Sequence, residues 1–201
     1  MKKISLLIAT IILAVVGLNA QTTPDARTSP APAAEVEKSL PSAMIFARFG
    51  SFSPGDEIFK TVYGGDFIAG GELRVRVIDK FFISLEGGYF KKTGALTVTQ
   101  EKTTLTIYPL EAMVVYHVLL SGVVSPYLGA GGSICKYSEE NVLGKVDDWG
   151  FGPALCGGVT ARWRFLGIDA RVKYSSVKIK PFETEADLGG LTFSIGAGVI
   201  F

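Results

Sequence analysis

From Leu191 to Phe201 every second residue is apolar (Leu191, Phe193, Ile195, Ala197, Val199, Phe201), and Thr192, Ser194, Gly196 and Gly198 lie between them. A two-residue period places successive side chains on opposite faces of an extended strand. The same alternation sets Phe67, Ala69, Gly71, Leu73, Val75 and Val77 against Gly70, Glu72, Arg74 and Arg76. It recurs as Phe81, Ile83, Leu85, Gly87 and Tyr89 against Ser84, Glu86 and Gly88, and as Ile168, Ala170, Val172 and Tyr174 against Asp169, Arg171 and Lys173. One face of each strand is apolar and the other carries charge. A soluble sandwich would bury the apolar face; here the charged face is the better candidate for the interior.

Beyond residue 20 no segment approaches the roughly 20 continuous apolar residues of a membrane helix. A chain that crosses a bilayer without such helices must close into a barrel, because only closure satisfies every backbone N–H and C=O in lipid. The 24 glycines fit this reading. Glycine weakens an ordinary strand, but in the lumen of a narrow barrel it makes room for long side chains crossing from the opposite wall.

At the amino terminus Lys2 and Lys3 precede an apolar run from Ile4 to Leu18 and the small residue Ala20, the pattern of a secretory signal peptide over residues 1–20. An uncleaved anchor is disfavoured by the shortness of the run, and lipidation by the lack of a Cys after Ala20. Residues 21–41 carry Thr, Pro and Ala without either period and read as a disordered periplasmic linker. The barrel domain is expected over 42–201. Residues 1–20 hold two lysines and no acid, so the remainder has 18 basic and 19 acidic residues, a net charge of −1. This balance gives no sign of nucleic-acid binding.

Eight extended runs are expected near 43–52, 66–78, 81–92, 103–118, 124–138, 150–165, 167–179 and 189–201. Short links at Asp79–Lys80, Ser121–Gly122 and Leu166 alternate with long polar ones at 53–65, 93–102, 139–149 and 180–188. That alternation matches tight periplasmic turns and longer extracellular loops. Phe81, Tyr116, Trp163, Phe165 and Phe201 would ring one interface and Tyr89 and Tyr174 the other. The fold class is therefore all-β, an eight-stranded antiparallel transmembrane up-and-down barrel.

Three stretches carry a family resemblance: Pro126-Tyr127-Leu128-Gly129-Ala130-Gly131 opening a strand, Tyr108-Pro109-Leu110 within an earlier one, and the ending from Gly198 to Phe201. Over about 160 residues, from Ser42 to Phe201, the chain resembles the small OmpA/OmpX-type outer-membrane β-barrel proteins. The resemblance implies an outer-membrane monomer in contact with lipid and lipopolysaccharide. It also makes Phe201 the assembly signal read by the barrel-assembly machinery. Homologous folds of this size include adhesins, integrity proteins, narrow channels and lipid A enzymes, so the fold does not select an activity.

Hairpin arithmetic gives candidate lumen neighbours. A turn near 79 sets Glu72 opposite Glu86, and a loop centred near 98 sets Glu86 opposite Glu111. A turn near 166 or 167 sets Arg162 opposite Arg171 and Arg164 opposite Asp169. The expected lumen network is thus a carboxylate cluster (Glu72, Glu86, Glu111) facing Arg74, Arg76, Arg162, Arg171 and Lys173. An eight-stranded barrel is only wide enough to be filled by side chains, and buried charges must be paired, so a salt-bridged, mostly closed lumen follows. Cys135 and Cys156 share the lumen parity and read either as a cross-strand disulfide or as two free small residues.

His117 is the only histidine. Ser121 follows it by four residues in a turn, with no carboxylate placed beside them, so no catalytic residue is assigned. No cofactor or metal set is read either, because the two cysteines, 21 residues apart, have no accompanying histidine ligands. Two readings remain. One is a structural or surface-interaction protein whose loop residues Ile58, Phe59, Tyr63 and Phe182 touch an extracellular partner. The other is a narrow porin-like conduit for small solutes through the glycine-lined lumen.

Overall fold

The computed structural model describes residues 41–95, 102–119, 123–141, 144–179 and 186–201. The expected signal peptide, nearly all of the linker and Phe182 lie outside them. In chain order the elements are β1 (Ala43–Pro54), α1 (Glu57–Val62), β2 (Asp66–Ile78), β3 (Phe81–Ala95), β4 (Lys102–His117) and β5 (Val124–Asn141). They continue with β6 (Gly144–Trp163), β7 (Leu166–Ser175), β8 (Lys178–Ile179), β9 (Ala186–Asp187) and β10 (Gly190–Ile200).

The long strands pair antiparallel in the order β5-β4-β3-β2-β1-β10-β7-β6, and β5 pairs with β6 to close the ring. Closure removes the free edges that an open sheet would expose. The seam between the first and last strands runs from Met44 opposite Ile200 to Pro54 opposite Gly190. Its end is tied by the Phe201 carbonyl, which accepts the Ser42 N–H at 2.6 Å.

Parity decides what faces where. Leu73, Val75, Ile83, Leu85, Ile168, Phe193 and Ile195 are exposed on the outer wall, whereas Glu72, Arg74, Asp169, Arg171 and Lys173 are buried inside. Phe81, Tyr116, Trp163, Phe165 and Phe201 stand exposed near one end and Tyr89, Tyr108 and Trp149 toward the other. An apolar wall bounded by aromatic residues is the exterior of a membrane-spanning barrel.

At the turn end, Asp79 (φ 40°) and Arg164 (φ 56°) take the left-handed conformation that tight hairpins demand. The loop end is more structured than its polar composition suggests. Residues 53–65 hold α1, which Asp56 caps by accepting the Phe59 N–H at 3.0 Å on Oδ1. Gly64, at φ 65°, donates to the Lys60 carbonyl and closes the helix in the left-handed position that glycine adopts most cheaply. Residues 139–141 and 144–149 continue β5 and β6 up to Asn141 opposite Gly144. Tyr137 and Val146, hidden among polar neighbours, pack inward there. After β7 the ladder breaks at Ser176–Val177 and resumes as β8 paired with β9. Asp187 bridges the break, accepting from the Val177 and Gly189 N–H groups at 2.7 Å each.

Depth on the outer wall sets the cost of a charge placed there. Leu73→Arg, at mid-height of β2, is expected to destabilise the barrel by about 2–4 kcal/mol, against about 0–1 kcal/mol for Val77→Arg near the turn end. Urea unfolding in lipid vesicles measures both; equal costs would contradict this placement of the wall.

Candidate functional site

The lumen is stacked in three layers. At the turn end Met44, Phe46, Phe82, Met113, Val115, Tyr127 and Ile200 form an apolar plug. At the loop end Phe52, Tyr63, Phe90, Leu105, Ile107, Tyr137, Val177 and Leu188 form a second one, with Phe59 and Val62 of α1 packed on it. The charged residues lie between the two plugs, so the lumen is not charged along its whole length.

The carboxylates come together as the arithmetic predicts, with Glu72 opposite Glu86 and Glu86 opposite Glu111. Glu72 accepts from Arg48 Nε at 2.6 Å, Arg74 Nε at 2.7 Å and Ser84 Oγ at 2.5 Å. Arg171 Nη1 approaches the same carboxylate at 3.4 Å, and its Nη2 pairs with Glu86. Lys173 Nζ bridges Glu86 at 3.1 Å and Glu111 at 2.6 Å. Asp169 accepts from Arg48 Nη2 at 2.7 Å, Tyr127 OH at 2.8 Å and Thr160 Oγ1 at 2.6 Å, with Arg74 Nη1 at 3.3 Å. Arg74 also stacks on Tyr127, its guanidinium carbon 4.1 Å from the ring centroid.

Four cations (Arg48, Arg74, Arg171, Lys173) therefore meet four carboxylates (Glu72, Glu86, Glu111, Asp169), and the layer carries no net formal charge. Such a set is consistent with the rule that buried ions persist only when paired and hydrogen-bonded. Arg48 Nη1 and Arg171 Nε have no protein partner. Beside the layer, toward the loop end, lies a small cavity of about 30 Å³ with Glu111, Ser133, Lys173, Phe90, Pro109 and Cys135 in its walls.

Three expected members stay out of this layer. The β6–β7 turn is Arg164–Phe165, closer to the start of the hairpin than expected, so Asp169 pairs with Thr160 and Arg171 with Gly158. Arg162 then sits opposite Gly167 at the turn end, and Arg164 is exposed in the turn itself. Arg76 lies at the β2 bulge and is only half-buried. Conversely Arg48 was not anticipated, although it shares the inward parity of Met44 and Phe46 on β1 and is the one charge in that strand.

The cysteines do not face each other. Cys135 is opposite Gly150 and Cys156 opposite Gly129, six positions apart in register, and both are buried free thiols. The β5–β6 register, with Asn141 opposite Gly144, is centred nearer to Cys135 than to Cys156, which shifts the expected pairing. Cys135 belongs to the loop-end plug and Cys156 to the turn-end one. Nor do Phe59 and Tyr63 project outward: Phe59 packs against the loop-end plug, and Tyr63 is buried in it. His117 is buried between Phe82 and Tyr127, its Nδ1 2.7 Å from Ser125 Oγ, which donates to the Leu119 carbonyl.

No protein-family model and no curated protein matches the sequence. Solved structures do. Neisserial surface protein A aligns with a TM-score of 0.62 at 20% identity, over 82% of this chain and 100% of its own. The N-terminal β-barrel domain of Pseudomonas aeruginosa OprF aligns with a TM-score of 0.51 at 16% identity, and the attachment invasion locus protein Ail of Yersinia pestis with 0.52 at 16% identity. Each of these two covers 81% of this chain and 100% of the other. The chain has the fold of the small eight-stranded outer-membrane β-barrels of the OmpA/OmpX type.

Proposed function

We propose that this barrel is a structural or surface-interaction protein of the outer membrane whose lumen is closed to ions, with its loop end outside the cell. The observation that carries this reading is the neutral layer of four cations and four carboxylates buried between two apolar plugs. An ion crossing it would have to displace paired charges in a low-dielectric interior, and the pairs can be given up only at the cost of leaving a charge unpaired. The hydroxyls of Ser84, Tyr127, Ser133 and Thr160 all donate to carboxylates of the same layer. We assign no catalytic residue and no cofactor.

The runner-up, a narrow conduit, draws on the internal cavity and on the unpartnered Arg48 Nη1 and Arg171 Nε. A volume of about 30 Å³ holds one or two waters. Conduction would need both plugs and the charged layer to rearrange together.

Contact with the membrane is proposed to be specific on one face. Gly87, Ala112 and Gly132 on β3, β4 and β5 leave a groove in the outer wall, edged by Leu85, Leu110, Ile134 and Phe151. Just toward the loop end, Tyr108, Lys136 and Trp149 fall in one register row, and Lys91 stands beside Thr106 one step beyond. Acyl chains in the groove and lipid phosphates on Lys136 and Lys91 suit a lipopolysaccharide of the outer leaflet. The outward ring of Phe201 is the element we assign to the barrel-assembly machinery, and the closed sheet suits a monomer.

Two experiments test these statements. In planar bilayers the folded wild-type barrel should be silent, while Glu72→Gln, which leaves Arg48, Arg74 and Arg171 short of one counter-charge, should lose about 3–5 kcal/mol of stability and show current fluctuations. Regular openings of the wild type would overturn the closed reading. Lipopolysaccharide should raise the unfolding temperature of the wild type in vesicles more than that of the Lys91→Gln, Lys136→Gln double variant; an equal rise would remove the lipid seat.

A further inference from the structure

The loop-end plug is built differently from the turn-end one, because a piece of it comes from outside the barrel wall. Helix α1 lies across the mouth, and Phe59 and Val62 pack against the plug from above. Tyr63, just past the helix, reaches down to the opposite side of the mouth. Its hydroxyl donates to Glu139 Oε1 at 2.8 Å and lies 3.2 Å from Thr103 Oγ1. Thr103 Oγ1 donates to the same carboxylate oxygen at 2.9 Å, and the Tyr137 hydroxyl bonds the other one. One carboxylate on β5 thus holds hydroxyls from the helix segment, from β4 and from its own strand.

The seat beneath the helix is equally specific. A Cβ on Gly94 of β3 would come within 2.4 Å of the Val62 carbonyl oxygen and 3.1 Å of the Tyr63 ring, so the helix end rests directly on glycine backbone. Gly55 precedes the helix, and Gly64 and Gly65 follow it. The segment is therefore a capped turn bounded by glycines, joined to the mouth by hydroxyl contacts and a small apolar underside. Hydrogen bonds to a charged group are worth more than neutral ones, so the Tyr63–Glu139 bond is a strong polar tie between the helix segment and the wall.

We infer that α1 is a latched lid. When it lifts, the apolar loop-end plug beneath it opens to solvent as far as the layer of paired charges. The cavity beside Glu111, Lys173 and Cys135 lies at the foot of that plug. This inference rests on the closed-lumen reading only for its floor.

The two native thiols report on two depths of the lumen. Cys135 lies in the loop-end plug above the charged layer, and Cys156 lies at the layer itself, opposite Lys173. The test is the rate at which N-ethylmaleimide modifies the folded, full-length barrel in versions retaining only Cys135 or only Cys156, with heat-modifiable gel mobility confirming the fold. Tyr63→Phe, which removes the hydroxyl and keeps the ring, is expected to speed modification of Cys135 about tenfold, the factor produced by about 1.4 kcal/mol in an opening equilibrium. Glu139→Gln should act in the same direction, and Cys156 should be unaffected by either. An unchanged Cys135 rate in Tyr63→Phe would overturn the lid. Equal acceleration of Cys135 and Cys156 would overturn it too, since the whole barrel would then have loosened. Fast modification of Cys156 in the unaltered protein would instead strike at the closed floor and leave the latch standing.

Discussion

Arg48 joins the two sides of the seam: from its place on β1 it ties Glu72 of β2 to Asp169 of β7. Around it Arg74, Arg171 and Lys173 add pairs between strands distant in sequence, and the layer as a whole connects β1, β2, β3, β4 and β7 across the lumen. In a barrel whose outer wall gains little from contact with lipid over contact with its own kind, such cross-lumen pairing is the interaction on which a filled interior depends. It also fixes register, because a one-residue slip of any strand would turn its charges into the bilayer.

The two apolar plugs follow from that layer. They keep water from both ends of the charged set, which strengthens the pairing inside. Glycines in the wall allow the long side chains to fit: a Cβ on Gly158 would come within 2.5 Å of the Tyr127 hydroxyl that serves Asp169. Gly88 has a similar reason at the wall itself, where Pro109, lacking an N–H, interrupts the β3–β4 ladder and a Cβ on Gly88 would stand 2.9 Å from the proline ring.

Alternation made most of this legible from the sequence. Parity is insensitive to small errors in turn position, so the outward Leu73 and Ile195 and the inward Glu72 and Asp169 were fixed by pattern alone. Register is not so forgiving. The Asp79–Lys80 turn is short and unambiguous, and the Glu72–Glu86 pairing came out as expected. At Arg164–Phe165, and in the β5–β6 register where Asn141 faces Gly144, the hairpin centres lie earlier in the chain than expected, which takes Arg162 and Arg164 out of the charged layer and separates Cys135 from Cys156. Arg48 is not legible in this way, because a single charge in an apolar run gives no cluster signal. The inward packing of Tyr63 and Phe59 is hidden from the sequence, because nothing in the spacing of a six-residue helix reveals which way it folds over the barrel mouth.

The central claim is that the charges act as one layer across the lumen, and a double-mutant cycle between Arg48 and Asp169 tests it most directly. Arg48→Met, Asp169→Asn and the combined variant would be unfolded in lipid vesicles. The account predicts strong non-additivity, with an interaction energy of about 1 kcal/mol or more. Additive losses, agreeing within about 0.3–0.5 kcal/mol, would mean that the two residues stabilise the barrel separately and would contradict it.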